Sequence, residues 1–208
     1  MPELPEVESV KRVLSPQLIN RTIVAVEVFK SKIIATKLFS FLNDLNSKEI
    51  VNVERRGKFL IITLNTLDKI FIHLRMTGCL LVAPKTYPKE KHTHVIISLD
   101  NNTELRYIDS RAFGKFWLIK NGESEETTGV TKLGLEPLKD EITPDYLKSK
   151  LKNKNVAIKT ALLDQGVIAG IGNIYSDEIL HKAKINPETK CNALNDNEWA
   201  ILSSTIEP

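Results

Sequence analysis

Short β-branched or apolar stretches follow one another between residues 22 and 119, and this crowding limits the fold more than any other feature of the sequence. Thr22 to Phe29 (TIVAVEVF) alternates in the manner of a half-buried strand. Ile50–Glu54, Phe59–Leu64, Lys69–Arg75, Val95–Asp100, Glu104–Asp109 and Lys115–Ile119 follow in quick order. Asn101-Asn102, between two of these runs, suits a hairpin turn because Asn tolerates positive φ. Closely spaced strands without intervening helices argue for an antiparallel sandwich.

A different pattern flanks this block on each side. Pro2 and Pro5 suit a first helical turn, and Val7, Val10 and Leu14 recur at helical spacing, so a helix is expected to run along the sandwich and stop at Pro16. Residues 121–128 (NGESEETT) are polar and acidic and read as an exposed connection, which predicts one domain over 1–128 and a second over 129–208. In the second, Thr143-Pro144-Asp145 is a helix start, Tyr146, Leu147 and Leu151 form an apolar stripe, and Val156 to Leu163 is a further helical run. The expected class is therefore α+β: an amino-terminal helix with an antiparallel β-sandwich, followed by an all-α domain.

With 208 residues, each of two modest domains can bury a core, and a net charge of +3 is too mild by itself to argue for nucleic acid. Cys79 and Cys191 are far apart and form neither a disulfide framework nor a paired metal motif, which fits a reducing cytoplasm. His92 and His94, two residues apart with no other donor near, make no metal site, so none is expected. With no charged-then-apolar leader and no apolar run near the ~20 residues of a membrane helix, a soluble protein is expected.

The first residues, Met1-Pro2-Glu3-Leu4-Pro5-Glu6-Val7-Glu8, carry the chemistry. Removal of Met1 would expose Pro2 as a secondary amine with a reference pKa near ~8, able to attack an aldehyde carbon and form an iminium. Glu3, Glu6 and Glu8 also suit the positive end of a helix dipole. The octapeptide is similar to the amino terminus of the formamidopyrimidine-DNA glycosylases, bacterial repair enzymes that excise oxidised purines and then cleave the abasic strand. The resemblance implies that Pro2 is the nucleophile, that Glu3 shuttles protons at the sugar and that Glu6 supports the site.

Further motifs extend the resemblance in order along the chain. Arg55-Arg56-Gly57-Lys58 places cations at a strand junction, with Gly57 permitting a sharp turn. By likeness to the family, Lys58 approaches the DNA backbone and assists catalysis. His73-Leu74-Arg75-Met76-Thr77-Gly78 ends a strand with a histidine, implied to contact phosphate, and an unbranched apolar side chain. An enzyme that extrudes a nucleotide must fill the hole, and Met76 is the implied filler. Asp109-Ser110-Arg111-Ala112-Phe113-Gly114 resembles the loop in which arginine reads the orphaned base and phenylalanine intercalates, roles that fall to Arg111 and Phe113. Lys91-His92-Thr93-His94 also has a family counterpart, whose role is structural or phosphate-facing.

In Leu162 to Asn186, Gly166, Gly170 and Gly172 separate helix, two turns and helix, and Asn173 starts the last helix, where backbone donors can hold a phosphate. This string closely resembles the family's helix-two-turn-helix. Lys148, Lys150, Lys152, Lys154 and Lys159 precede it without an intervening acid, and Lys159 matches a family lysine that could touch the backbone. The resemblance runs from Pro2 to about Pro187. Beyond that point the family's four-cysteine zinc finger has no counterpart before Pro208, so no cofactor is expected. The implied partner is double-stranded damaged DNA, with no membrane, and the implied protein is a monomer in the bacterial cytoplasm at the nucleoid. One alternative is the related endonuclease VIII type, acting on oxidised pyrimidines, but its usual Met-Pro-Glu-Gly-Pro start differs at Leu4. The other is a catalytically weak binder of damaged DNA.

Overall fold

A computed structural model of the chain describes residues 1–206. Contacts divide the chain into two compact units, Met1–Thr128 and Gly129–Pro208.

The first unit opens with helix α1 (Leu4–Leu18), followed by β1 (Ile23–Val28), a short helix α2 (Leu38–Asn43) and strands β2 (Ile50–Arg56), β3 (Phe59–Leu64), β4 (Lys69–His73), β5 (Gly78–Pro84), β6 (Thr93–Leu99), β7 (Thr103–Asp109) and β8 (Lys115–Ile119). They form two antiparallel four-stranded sheets, ordered β1-β6-β7-β5 and β2-β3-β4-β8. One apolar cluster joins them: Leu60, Ile62 and Ile72 of one sheet pack with Val95, Ile97 and Leu105 of the other, and Leu14 and Leu18 of α1 add to it. This is the expected sandwich with its helix. Asn102 takes the positive φ (61°) foreseen for the β6–β7 hairpin.

Three features differ from expectation. Pro16 does not stop α1 but lies inside its last turn. A proline there forfeits one backbone hydrogen bond, whereas ending the helix early would withdraw Leu18, fully buried one turn after Leu14, from the core. Strand β5 and helix α2 fall where no element was expected. Residues 125–128 form a 3-10 turn with Thr128 buried, so the acidic connection is not wholly exposed.

The second unit contains α3 (Pro144–Leu151), α4 (Ile158–Leu162), α5 (Asn173–Ala183) and α6 (Asp196–Ile206). Thr143 caps α3, its hydroxyl accepting from the Tyr146 amide at 3.1 Å, as the Thr-Pro-Asp start implied. Leu147, Leu151, Ile158, Leu162, Ile168 and Leu202 are fully buried together. Helix α5 is followed by α6, which sequence reasoning missed. Among the described residues no helix is long and apolar enough to cross a membrane.

Candidate active site

The amino end of α1 is built by the acidic residues it carries. Glu6 Oε2 accepts the Glu3 amide at 2.8 Å, and the two residues close a reciprocal capping box that fixes how the chain enters the helix. The capping role and the catalytic expectation therefore fall on the same side chains. Glu3 is only 2% exposed despite its charge, which places a carboxylate in a desolvated position immediately beside Pro2.

Lys58 faces that carboxylate's field from the hairpin between β2 and β3. Arg56 pairs with Phe59, leaving Gly57 and Lys58 as a two-residue turn, and Gly57 adopts the left-handed φ (+55°) that such hairpins demand. Burial pulls the Lys58 amine below its ordinary pKa, and the Glu3 carboxylate opposes that shift. The hairpin is tied to α1 by Arg55, whose Nε donates to Glu8 Oε2 (2.9 Å) while Nη1 donates to the Gly57 carbonyl (3.0 Å). Burial would raise the Glu8 pKa, but Lys11, Arg55 and Arg12 override it and hold the carboxyl at about 2.

His73 ends β4 with its Nδ1 accepting the Arg75 amide at 3.1 Å and its ring edge-on to Phe59 at 4.8 Å between centroids. Burial first, then the Arg75 and Lys58 charges, depress its pKa to about 3. The ring is therefore neutral, and with Nδ1 accepting, its hydrogen sits on Nε2.

The turn after His73 and the loop after β7 meet. Arg111 Nη1 lies 3.3 Å from Met76 Sδ, and its guanidinium stacks 4.8 Å from the centre of the Phe113 ring. Met76 and Phe113 are each 47% exposed. Both line an open cavity of about 530 Å³ together with Met1, Lys32, Arg75 and Lys115. Two large apolar side chains held out to solvent in mutual contact with a guanidinium cost solvation, which is acceptable where a ligand is to cover them. The structure thus brings together Met76, the expected filler, Phe113, the expected intercalator, and Arg111, the expected reader of the unpaired base.

In the second unit, two turns join α4 to α5. Gln165 braces them: Nε2 donates to the Leu163 and Ile171 carbonyls (3.0 and 2.7 Å), and Oε1 accepts from Gly170, whose φ is +97°. Asn173 is exposed at the first position of α5, with Gly172 as its cap. The lysines are not the bare positive run expected from their spacing. Lys148 pairs with Asp196 (2.7 Å), Lys154 with Asp164 (3.6 Å) and Lys159 with Asp177 (2.7 Å), because the helical fold returns acids from later in the chain.

Residues missed from the sequence are Asp109, Tyr107, Thr77, Glu8 and Arg55, all of which hold other side chains in place. Their signal was a charge or hydroxyl in or beside a strand, or in the first helix for Glu8, which only burial distinguishes from a solvated one. His94 Nε2 lies 2.8 Å from the Asp109 carbonyl oxygen, which makes it structural. Among the described residues no group of three or more His, Cys, Asp or Glu side chains could hold a metal ion.

Comparison with known proteins agrees with this geometry. A family model described as the formamidopyrimidine-DNA glycosylase N-terminal domain matches residues 1–116, and one for the H2TH domain of that family matches residues 133–208. The similarity therefore continues past Pro187, where the sequence resemblance was expected to lapse. A formamidopyrimidine-DNA glycosylase of Carboxydothermus hydrogenoformans is 46% identical over 207 residues, covering 99% of this chain and 74% of the relative. The enzyme of that name from Pelotomaculum thermopropionicum is 43% identical, with 99% and 75% covered. Among solved structures, Lactococcus lactis formamidopyrimidine-DNA glycosylase bound non-covalently to DNA containing an AP site superposes with a TM-score of 0.92 at 34% identity, covering 98% of this chain and 78% of that one. The same enzyme with Fapy-dG containing DNA also gives 0.92 at 34% identity, with 98% and 77% covered.

Proposed function

The chain belongs to the formamidopyrimidine-DNA glycosylase family, enzymes of base excision repair, and from that premise we propose that it excises oxidised purines from duplex DNA through Pro2 and then cleaves the abasic strand. The observation that carries the reading is that Met76 and Phe113 line one cavity with Met1, while Arg111 touches both of those side chains.

In this reading the Pro2 nitrogen, freed by removal of Met1, uses its lone pair to attack C1′ of the damaged nucleotide as the base departs with its bonding electrons. Glu3 supplies a proton to the ring oxygen as the sugar opens, which leaves an iminium between Pro2 and C1′. Loss of a C2′ proton expels the 3′-phosphate, and loss of the C4′ proton in a second elimination expels the 5′-phosphate. Water then hydrolyses the iminium and returns the amine. Glu6 holds the Glu3 backbone, so that the carboxylate keeps its place through the cycle. Lys58 adds a cation close to Glu3 that can meet the scissile phosphate. His73, neutral with hydrogen on Nε2, donates to a second phosphate. Met76 fills the space of the extruded nucleotide, Phe113 wedges beside it, and Arg111 offers its planar donors to the unpaired partner base. In the second unit, the amino end of α5 at Asn173 and the Lys159 ammonium contact the backbone.

The test is borohydride trapping under single turnover on duplexes carrying an oxidised guanine, an oxidised pyrimidine or an abasic site. A covalent adduct mapped by mass spectrometry to the mature amino-terminal peptide, formed faster on oxidised guanine than on oxidised pyrimidine, is expected. An adduct on an internal lysine, or retention of Met1 in an active protein, overturns the assignment to Pro2.

A further inference from the structure

We propose that Asp109 is the positioning residue that locks the Met76 turn and the Arg111–Phe113 loop into one wedge. This rests on the wedge reading of those three side chains. Asp109 is 0% exposed at the end of β7, and both of its carboxylate oxygens are filled from the two segments. Oδ1 accepts the Thr77 hydroxyl, which follows Met76 directly, and the Arg111 amide at 3.1 Å. Oδ2 accepts the Phe113 amide at 2.8 Å, the Gly114 amide at 3.0 Å and the Tyr107 hydroxyl at 2.7 Å. Segments more than thirty residues apart in sequence thus share one anion. The strand register makes this possible, since Gly78 of β5 lies directly opposite Asp109 of β7.

The surroundings are built to keep that anion filled. The Tyr107 hydroxyl occupies the space a side chain would need at two positions: a Cβ on Gly114 would come within 1.7 Å of it and a Cβ on Gly78 within 2.6 Å. Glycine at both is the condition for the hydroxyl to reach the carboxylate. Ala112, in the middle of the loop, sits at φ +53°, a conformation that costs an L-residue free energy and persists only where neighbours over-determine it. The Arg111, Phe113 and Gly114 amides gathered on Asp109 supply that determination. Burial would raise the Asp109 pKa, yet these donors and the two hydroxyls hold it at about 2, so the anion is fully present at working pH. The His94 ring fixes the same residue from its backbone side, at 2.8 Å from the carbonyl oxygen.

An inserted wedge must keep its shape against a stacked duplex. Met76 and Phe113 each stand half exposed, so packing holds them less than it holds a core side chain and the backbone beneath them has to set their position. Asp109→Asn keeps the size of the side chain but turns an amide nitrogen toward at least two donors, whichever way it is placed.

The experiment uses duplexes with 2-aminopurine beside an oxidised guanine, read by stopped-flow fluorescence and by single-turnover excision, for the parent chain and for Met76→Ala, Asp109→Asn and Thr77→Val. Thermal melting checks folding of each. The proposal expects Asp109→Asn to excise about 10²-fold more slowly, on the scale of a misplaced reacting group, with the fluorescence phase slowed in parallel. It expects Thr77→Val, which releases only the Met76 side, to show the same slowing to a smaller degree. Trapping on a pre-formed abasic site should change less than about threefold in both. If Met76→Ala alters the fluorescence phase while Asp109→Asn and Thr77→Val both fold and match the parent, the lock is refuted and the wedge stands. If Met76→Ala also matches the parent, the wedge reading fails and the lock with it. Should Asp109→Asn not fold, Thr77→Val decides alone: a parent-like phase refutes the lock, and a slowed one supports it.

Discussion

His73 sets up a pH dependence whose size follows from its surroundings. Its pKa lies at about 3 in the folded protein against 6.5 as a free side chain, because burial disfavours the imidazolium and the Arg75 and Lys58 cations oppose it further. The folded value is depressed, so the unfolded chain takes up this proton first. Stability from the neutral ring is fully present above pH 6.5 and is lost as pH falls toward about 3. Between pH 7 and 4.5 the loss from this one group comes to about 2.5 kcal/mol, at about 1.4 kcal/mol for each unit below the unfolded value. Many carboxylates also begin to titrate in that window, so the quantity to measure is a difference between two proteins.

His73→Gln replaces a titrating donor by a neutral one of similar reach. Urea unfolding of the first unit can be followed by Trp117, which is buried with its ring 5.9 Å from Phe59, the ring that packs on His73. A Trp199→Phe background removes the other tryptophan. The parent should lose about 2.5 kcal/mol more than His73→Gln between the two pH values, although His73→Gln is the less stable protein at pH 7. Equal losses would show that His73 titrates normally in the fold, and the neutral phosphate donor would go with it.

Glu8→Gln should weaken the first unit by about 2 kcal/mol at neutral pH, because the buried Arg55 guanidinium loses its charged partner. The Glu8 pKa is depressed to about 2, so the difference between the two proteins should persist above pH 4.5 and fade as pH drops toward 2; a difference independent of pH would refute the ion-pair account. Lys159→Ala removes the ammonium that pairs with Asp177 at 2.7 Å, and if that ammonium meets DNA phosphate the slope of log affinity against log salt should flatten by up to about 0.9; an unchanged slope would remove Lys159 from the interface. Gly134→Ala would set a Cβ 2.2 Å from the Val167 carbonyl, where main chain must move, so the second unit should lose about 1–3 kcal/mol by Trp199 fluorescence; a parent-like curve would show that the backbone yields freely there.

What the sequence disclosed and what it hid divide along physical lines. Alternation and β-branching mark strands that bury one face, and turn chemistry marks Gly57, Asn102 and Gly170, because each of these is a local property of the chain. Strand β5 (GCLLVAP) escaped because it starts on a glycine directly after a turn and ends on a proline. Both are poor strand signals, yet both are tolerated here because β5 is the last strand of its sheet and can forgo a ladder bond. That one omission concealed more than a strand. Without β5 there is no register between Gly78 and Asp109, and hence no reason to connect Met76 with Arg111 and Phe113 except by analogy. Met76, Arg111 and Phe113 came from the sequence as what the family resemblance implies, since a lone methionine or an arginine beside a phenylalanine is by itself no sign of a site. The buried groups that aim them were not legible, since Asp109, Arg55 and Tyr107 look in sequence like any other strand residues. A carboxylate gathering donors from residues 77, 107, 111, 113 and 114 exists only once non-local pairing has been decided, so the precision of the wedge is a tertiary property even where its chemistry is a local one.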